Sequence, residues 1–245
     1  MLPYDVIVHQ APGHVVRSGM SEDRAVEESS KTGSGHEAVV HRSDLAPTWR
    51  AELDRWMTDV ETAEVDEPTA MQLATADADG RPSVRTVLRK GIDDRGIVFF
   101  TNRDSRKGRE LAANPRAALS LTYLTLHRQV CVVGDVEEVT REETVSYATS
   151  RPRGSQVSAW ASHQSQPVGG RAVLEATWRE LDEKFGDEGP VPVPEFWGGF
   201  RVLPITVEFW WGRRDRLHDR FRFRRADGRP GRADDGGWVL ERLSP

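Results

Sequence analysis

Three short segments put cations beside hydroxyls and amides, the combination that a bound phosphate requires. The first is Arg85-Thr86-Val87-Leu88-Arg89-Lys90. On a strand, positions 85, 87 and 89 share one face and 86, 88 and 90 the other. Arg85 and Lys90 are then expected on opposite sides, with the strand lying between two groups. The second is Thr101-Asn102-Arg103-Asp104-Ser105-Arg106-Lys107-Gly108, read as a strand-to-helix junction. A helix N-terminus offers free N–H donors and a positive dipole end, and Arg106 and Lys107 add full charges. The third is Ser150-Arg151-Pro152-Arg153-Gly154-Ser155-Gln156, read as a loop with two guanidinium forks. Taken singly, each is a solvated face with surface salt bridges. Taken together, each at the end of an element, they point to two bound phosphate groups.

A fourth segment runs from Glu208-Phe209-Trp210-Trp211 to Arg216-Leu217-His218-Asp219-Arg220. On a strand, Arg216, His218 and Arg220 line one face. That spacing alone fits a charged surface hairpin as well as it fits a site. The seven histidines show no metal-ligand spacing, so no metal is expected. The single cysteine, Cys131, excludes an internal disulfide and argues against structural zinc. It sits among valines, where a small core residue is expected and not a nucleophile. The net charge of −5 and pI near 5.9 give no global field for nucleic acid or an anionic membrane. No apolar run approaches the roughly 20 residues of a membrane span, and the N-terminus lacks a signal-peptide pattern. A cytoplasmic location is expected, and one cysteine suits a reducing compartment.

The elements that must position these residues are mostly β. Residues 1–42 are rich in Gly, Ser, Glu and His without a period, and read as a flexible arm, with Met20 as a second possible start. Residues 43–245 read as one domain. Ser43 is the expected N-cap of a helix whose Leu45, Trp49, Leu53, Trp56, Met57 and Val60 pack on the core. Strands are expected at 71–76, 83–89, 97–100, 117–123 and 129–139. Helices are expected at 105–113, at 140–150 with a Thr140/Glu143 capping box, and at about 170–185. Four further strands follow, at 199–203, 207–211, 220–224 and 238–243. This pattern is mainly β with helices (α+β), a decorated β-barrel and not alternating βαβ. No Gly-x-Gly-x-x-Gly opens a helix after a strand, which argues against a Rossmann site.

Several of these segments together resemble the pyridoxine/pyridoxamine 5′-phosphate oxidase family. The matching stretches are Arg85-x-Val-Leu-x-Lys90, Phe100-Thr101-Asn102-x-x-Ser105-Arg106-Lys107-Gly108, Arg128-Gln129-Val130, Ser150-Arg-Pro-Arg-x-Ser155-Gln156, Ala159-Trp160-x-Ser162-x-Gln164-Ser165, Phe196-Trp197-Gly198-Gly199-Phe200-Arg201, Glu208-Phe209-Trp210 and Arg216-Leu-His-Asp-Arg220. They occur in the family's order over residues 45–245.

The resemblance implies an FMN-binding split β-barrel and a homodimer with flavin mononucleotide (FMN) at its interface. It also implies oxidation of pyridoxamine or pyridoxine 5′-phosphate to pyridoxal 5′-phosphate by O2, giving H2O2. By matched position, FMN phosphate and ribityl contacts fall to Arg85, Arg106, Lys107, Gln164 and Ser165. Thr86, Val87, Leu88, Lys90, Phe100, Thr101, Gln129, Trp210 and Arg220 complete the cofactor set. Lys90, Tyr147, Arg151 and Ser155 are implied to hold the substrate phosphate, with catalytic Arg216 and His218 over the substrate ring. Glu67 falls where the family has an acid near the site.

The chain departs from the family's usual residues at Phe100, Arg89, Ser158 and Trp211, and residues 1–42 hold no Arg-x-x-Tyr element. The bulk of Ser158 and Trp211 implies a reshaped pocket. Two other readings use the same residues. One is a flavin oxidase of the same fold acting on a dihydrophenazine-like metabolite. The other is a non-catalytic carrier of FMN or pyridoxal phosphate.

Overall fold

The computed structural model describes residues 38–186 and 189–245. Most of the expected N-terminal arm lies outside these residues. Within 38–42, the Val40 amide donates to the Asp219 carboxylate at 3.1 Å, and Arg242 donates to the Val40 carbonyl at 2.9 Å.

Among the described residues, nine antiparallel strands form one curled sheet. They are β1 (Ala70–Ala76), β2 (Pro82–Leu88), β3 (Gly91–Ile92), β4 (Ile97–Asn102), β5 (Arg116–Tyr123), β6 (Arg128–Glu138), β7 (Trp197–Trp211), β8 (Asp219–Arg225) and β9 (Trp238–Arg242). The main path runs β2-β1-β5-β6-β7-β4-β3, and β8 pairs with β7 and β9. The expected mainly β architecture is therefore found. β7 does most to organise it. The two strands expected at 199–203 and 207–211 are one continuous strand. Its first half, 197–202, pairs with β4 and its second half, 206–211, pairs with β8, while β6 pairs with both halves. Pro204 lies at the change of partner and has no N–H to donate. Opposite it, the β6 register shifts between Val133 and Gly134.

Alternation along the strands builds the core. Leu119, Leu121, Val130, Val132, Val207, Phe209 and Phe223 point inward and are buried. Cys131 does not join them. It is half-exposed on the opposite face, opposite Ser120 and Glu208, because its neighbours Val130 and Val132 take the inward positions. The expectation of a core cysteine fails on strand parity.

The described residues also form the helices α1 (Trp49–Thr62), α2 (Arg106–Ala113), α3 (Arg141–Ser150), α4 (Arg153–Ala161) and α5 (Arg171–Phe185), which decorate the sheet. α1 is capped by Thr48, whose hydroxyl accepts from the Ala51 amide, and not by Ser43, which lies in a separate short turn. Its Trp49, Leu53, Trp56, Met57 and Val60 are buried as the spacing predicts. Trp56 meets Phe209 and Trp211 edge-on, at 5.1 and 4.8 Å between ring centroids. The Thr140/Glu143 capping box opens α3 as expected. α4 replaces the loop expected at 150–156: Pro152 stands at its N-cap, which ends one helix and permits the next.

The register shift can be tested at Gly134. A Cβ there would lie 2.0 Å from the Leu203 carbonyl oxygen, a backbone atom that cannot swing aside. Gly134→Ala is expected to lower stability by about 2 kcal/mol through forced backbone displacement. A urea titration followed by tryptophan fluorescence checks it, and an unchanged midpoint would count against the tight approach.

Candidate active site

A cleft opens where the edge strand β2, the end of β4, the start of α2, and α3 converge. Arg85, Thr86, Val87, Leu88, Lys90, Phe100, Thr101, Lys107, Tyr147, Arg151, Gln164 and Trp197 line it. Eleven of these twelve are residues singled out from the sequence. Trp197 is the addition. It lies in the Phe196–Arg201 stretch that resembles the family, where its residue type and spacing carry no signal of a role.

Arg85 and Lys90 both border the cleft, contrary to the expectation of opposite sides. β2 is an edge strand, and its consecutive residues Arg85, Thr86, Val87 and Leu88 all reach the cleft. Past Leu88 the ladder ends, and the Lys90 amide turns to the Val98 carbonyl of β4 at 2.8 Å.

One set of polar groups gathers around Lys107. This lysine is only 6% exposed. Its ammonium donates to Thr101 Oγ1 (3.1 Å), Ser105 Oγ (3.2 Å) and Gln164 Oε1 (2.8 Å). Burial, then the nearby Arg85 charge, push its pKa down to about 8, against a smaller pull upward from Glu110. Ser105 caps α2 by accepting from the Gly108 amide, so that donor is already used. What the helix start brings to the cleft is the lysine side chain. Arg106 is more than half-exposed, pairs with Glu110 at 2.8 Å and does not line the cleft. Thr101 also donates to Gln164 Oε1, at 2.9 Å. The Gln164 amide nitrogen keeps its donors. Ser165, with φ 69°, lines a neighbouring depression and not this one.

A second set gathers around an aromatic stack. Phe100 lies 4.2 Å from Tyr147 and 5.5 Å from Trp197, with rings within 22° of parallel. Lys90 Nζ sits 5.8 Å from the Tyr147 ring and the Arg151 guanidinium 5.0 Å from the Trp197 ring. Neither cation forms an ion pair among the described residues. The stack closes tightly on Gly199, where a Cβ would lie 2.6 Å from the Phe100 ring. Arg153, the other fork of its cluster, is committed to Asp182 at 3.2 Å and joins α4 to α5. Ser155 sits in the first turn of α4 outside the lining, and Glu67, in a turn before β1, also stands apart.

The remaining expected residues collect on the outer face of β6, β7 and β8. Gln129, Trp210 and Arg220 form one cross-strand row. Gln129 donates to Ser120 at 3.0 Å, and Arg220 pairs with Glu208 at 2.8 Å. The His218 ring lies 4.7 Å from Trp210, and its Nδ1 accepts the Arg213 amide at 3.0 Å. Arg216 is not on a strand. It occupies a short turn (Arg214–Arg216) with φ 62°, next to Asp215 at φ 55°. None of these residues lines the cleft of its own chain. The two departures expected to reshape the pocket also point elsewhere. Trp211 packs on Trp56 and Phe221, and Ser158 donates to the Gly154 carbonyl and accepts from Trp178.

The cleft fits a phosphorylated planar ligand. A buried lysine beside an arginine, with one carboxylate for both, leaves positive charge for an anion. The cleft volume is about 280 Å³, below the roughly 300–1,000 Å³ usual for enclosed ligand sites. Among the described residues no cluster suits a metal, and no helix is long and apolar enough to cross a membrane.

Fold and cleft together define a split-barrel flavin-binding protein. Among solved structures, PhzG from Burkholderia lata 383, in complex with tetrahydrophenazine-1-carboxylic acid, superposes with a TM-score of 0.76 and 33% identity, covering 86% of this chain and 100% of that one. A pyridoxamine 5′-phosphate oxidase-related, FMN binding protein from Nostoc punctiforme shares the fold, with a TM-score of 0.63 at 17% identity and coverage of 82% and 100%. Residues 57–185 match the pyridoxamine 5′-phosphate oxidase family, and residues 197–245 match the pyridoxine 5′-phosphate oxidase C-terminal dimerisation region. Curated relatives named pyridoxine/pyridoxamine 5′-phosphate oxidase include one from Salinispora arenicola, 52% identical over 83% of this chain and 89% of its own length. One from Cupriavidus taiwanensis is 53% identical over 84% and 93%. The chain belongs to the pyridoxine/pyridoxamine 5′-phosphate oxidase family, and it is an FMN-dependent oxidase.

The depressed pKa of Lys107 makes a signed prediction. Between pH 8 and 10.5 the unfolded lysine holds more proton than the folded one, so this group's contribution to stability rises with pH. Below pH 8 its desolvation penalty is fully present. Relative to Lys107→Met, the flavin-free wild-type chain should therefore gain stability from pH 7.5 to 10. Paired urea midpoints check this, and a constant difference would show that Lys107 is not perturbed.

Proposed function

We propose that this chain oxidises pyridoxamine 5′-phosphate or pyridoxine 5′-phosphate to pyridoxal 5′-phosphate, with O2 as the final acceptor and H2O2 as a product. The observation that carries the reading is one cleft with two disjoint sets of anion-binding groups. Arg85, Lys107 and Gln164 suit the FMN phosphate, with Arg106 and Ser165 at their margin. Lys90, Tyr147 and Arg151 suit the phosphate of the substrate, with Ser155 one helical turn beyond. Thr86, Val87, Leu88, Phe100 and Thr101 are assigned to the cofactor between them.

FMN, when bound, supplies the two-electron acceptor that O2 then reoxidises. The protein's share is mainly positioning. Lys90 and Arg151 anchor one end of the substrate against the aromatic stack. A guanidinium offers a planar fork of donors and no acceptor, so Arg216 orients the substrate and does not take a proton. His218 has its Nδ1 occupied by a main-chain N–H, which leaves Nε2–H as the donor of the neutral ring. It assists by hydrogen bonding or proton transfer at Nε2.

The site is completed by a second copy of the chain. Gln129, Trp210, Arg216, His218 and Arg220 do not line their own cleft, and the segment carrying the last four matches a dimerisation region. In a homodimer the outer face of β6–β8 and the turn between β7 and β8 would roof the partner's cleft.

The B. lata neighbour, bound to a tetrahydrophenazine acid, supports the alternative of a flavin oxidase acting on a secondary metabolite. Retention of Lys90, Tyr147 and Arg151 as a phosphate set favours the vitamer. Incubating the purified protein with pyridoxamine 5′-phosphate under air should yield aldehyde and H2O2 from a visibly yellow protein. A yellow protein without turnover would sink the reading. Arg216→Ala should cut kcat by about 100-fold or more while leaving FMN affinity within about threefold. Lys107→Ala should do the reverse. The opposite pattern would exchange the two phosphate assignments.

A further inference from the structure

The carboxylate that organises the cofactor end of the cleft does not line it. Glu110, on α2, is 5% exposed. Its Oε2 accepts from the Ser83 hydroxyl at 2.6 Å and from the Thr75 hydroxyl. The same oxygen meets Arg85 Nη2 at 3.3 Å, and Oε1 accepts from Arg106 Nε at 2.8 Å. Thr75 and Ser83 in turn accept from Arg85: Nη1 donates to Thr75 Oγ1 at 2.6 Å, and Nη2 donates to Ser83 Oγ. Arg85 Nη1 also reaches the Leu73 carbonyl at 3.2 Å.

Each hydroxyl has one proton and two lone pairs. A carboxylate only accepts, so both hydroxyl protons must point to Glu110. Their lone pairs are thereby turned to Arg85. We propose that Glu110 is a positioning residue, which fixes Arg85 through these two hydroxyl relays before the cofactor's phosphate arrives. The proposal rests on the reading that Arg85 and Lys107 receive the FMN phosphate.

With its terminal donors held by Leu73, Thr75, Ser83 and Glu110, Arg85 keeps Nε–H uncommitted. An incoming anion meets a fixed charge, and no long side chain has to be ordered on binding. Glu110 remains ionised throughout the working range. Although its burial works the other way, hydrogen bonds from Ser83, Thr75 and Arg106 and the Arg85 charge hold its pKa at about 2. Its own negative charge costs little attraction. It is in contact with Arg85 and Arg106, and Lys107 stands beside them, so three cations face one carboxylate.

The test compares FMN with riboflavin, which lacks the phosphate. Bound FMN is displaced from the purified full-length holoprotein by riboflavin, and the ratio of the two affinities is read from flavin fluorescence. Glu110→Ala should lower the preference for FMN at least about tenfold while riboflavin affinity stays within about threefold. Glu110→Gln still offers an oxygen to Thr75 and Ser83 and should keep the preference within about threefold of wild type. Ser83→Ala removes one relay and should lower the preference about threefold, which keeps the test open if Glu110→Ala does not fold. Wild-type protein with no preference for FMN would overturn the phosphate assignment itself. A wild-type preference that survives Glu110→Ala or Ser83→Ala would overturn the role of Glu110 alone. Equal loss of both flavins would mark Glu110 as merely structural and also overturn it.

Discussion

The site depends on keeping cations charged where water is largely excluded. Burying an isolated ammonium costs several kcal/mol or more, and a lysine left so would deprotonate. Lys107 is held by Thr101 from β4, Ser105 from the cap of α2, and Gln164 from the segment after α4. Arg85 is held by groups from β1 and β2, together with Glu110 of α2. No local segment contains all these partners. The sheet, α2 and the segment after α4 have to be in place before either charge can be tolerated, and the same placement leaves both cations at the rim of the cleft.

β7 connects this region to the rest of the molecule. Its first half lies beside β4, near the aromatic stack, and its second half lies beside β8 and the Arg216 turn. Within one protomer these ends serve different surfaces: the cleft, and the outer row of Gln129, Trp210 and Arg220. Asp219 braces the second surface. It is 2% exposed and accepts from Val40, Arg213 and Arg242. The turn carrying Arg216 in a left-handed conformation therefore stands on a buried carboxylate, with both flanks of the domain tied to it.

Local signals in the sequence were legible and distant ones were not. The Thr140/Glu143 capping box and the stripe of α1 each depend on residues within one or two turns, and each is found. The Gly-Gly approach at 198–199 and the Arg-Lys pair at 106–107 were readable as a motif, and the motif carried the family. Parity misled at Cys131, because valines on both sides hide which face is the core. Pro204 made one strand look like two, because a proline usually ends pairing, whereas here it falls where the partner changes. Arg-Pro-Arg looked like a loop, although Pro152 opens α4. Glu110 drew no notice at all. Its partners Thr75 and Ser83 lie 35 and 27 residues away, and no spacing rule reaches across a sheet.

The long ladder between β6 and β7 also bears on how the chain reaches this structure. β6 ends at Glu138 and β7 begins at Trp197, with α3, α4 and α5 between them. Loop-closure entropy must be met before the first of these pairs forms, and such non-local pairing slows folding more than it limits final stability. The hairpin of β5 and β6 and the later hairpin of β7 and β8 close over short turns and are free to form early. The cleft, which draws on groups from both sides of the gap, belongs to the last and slowest event.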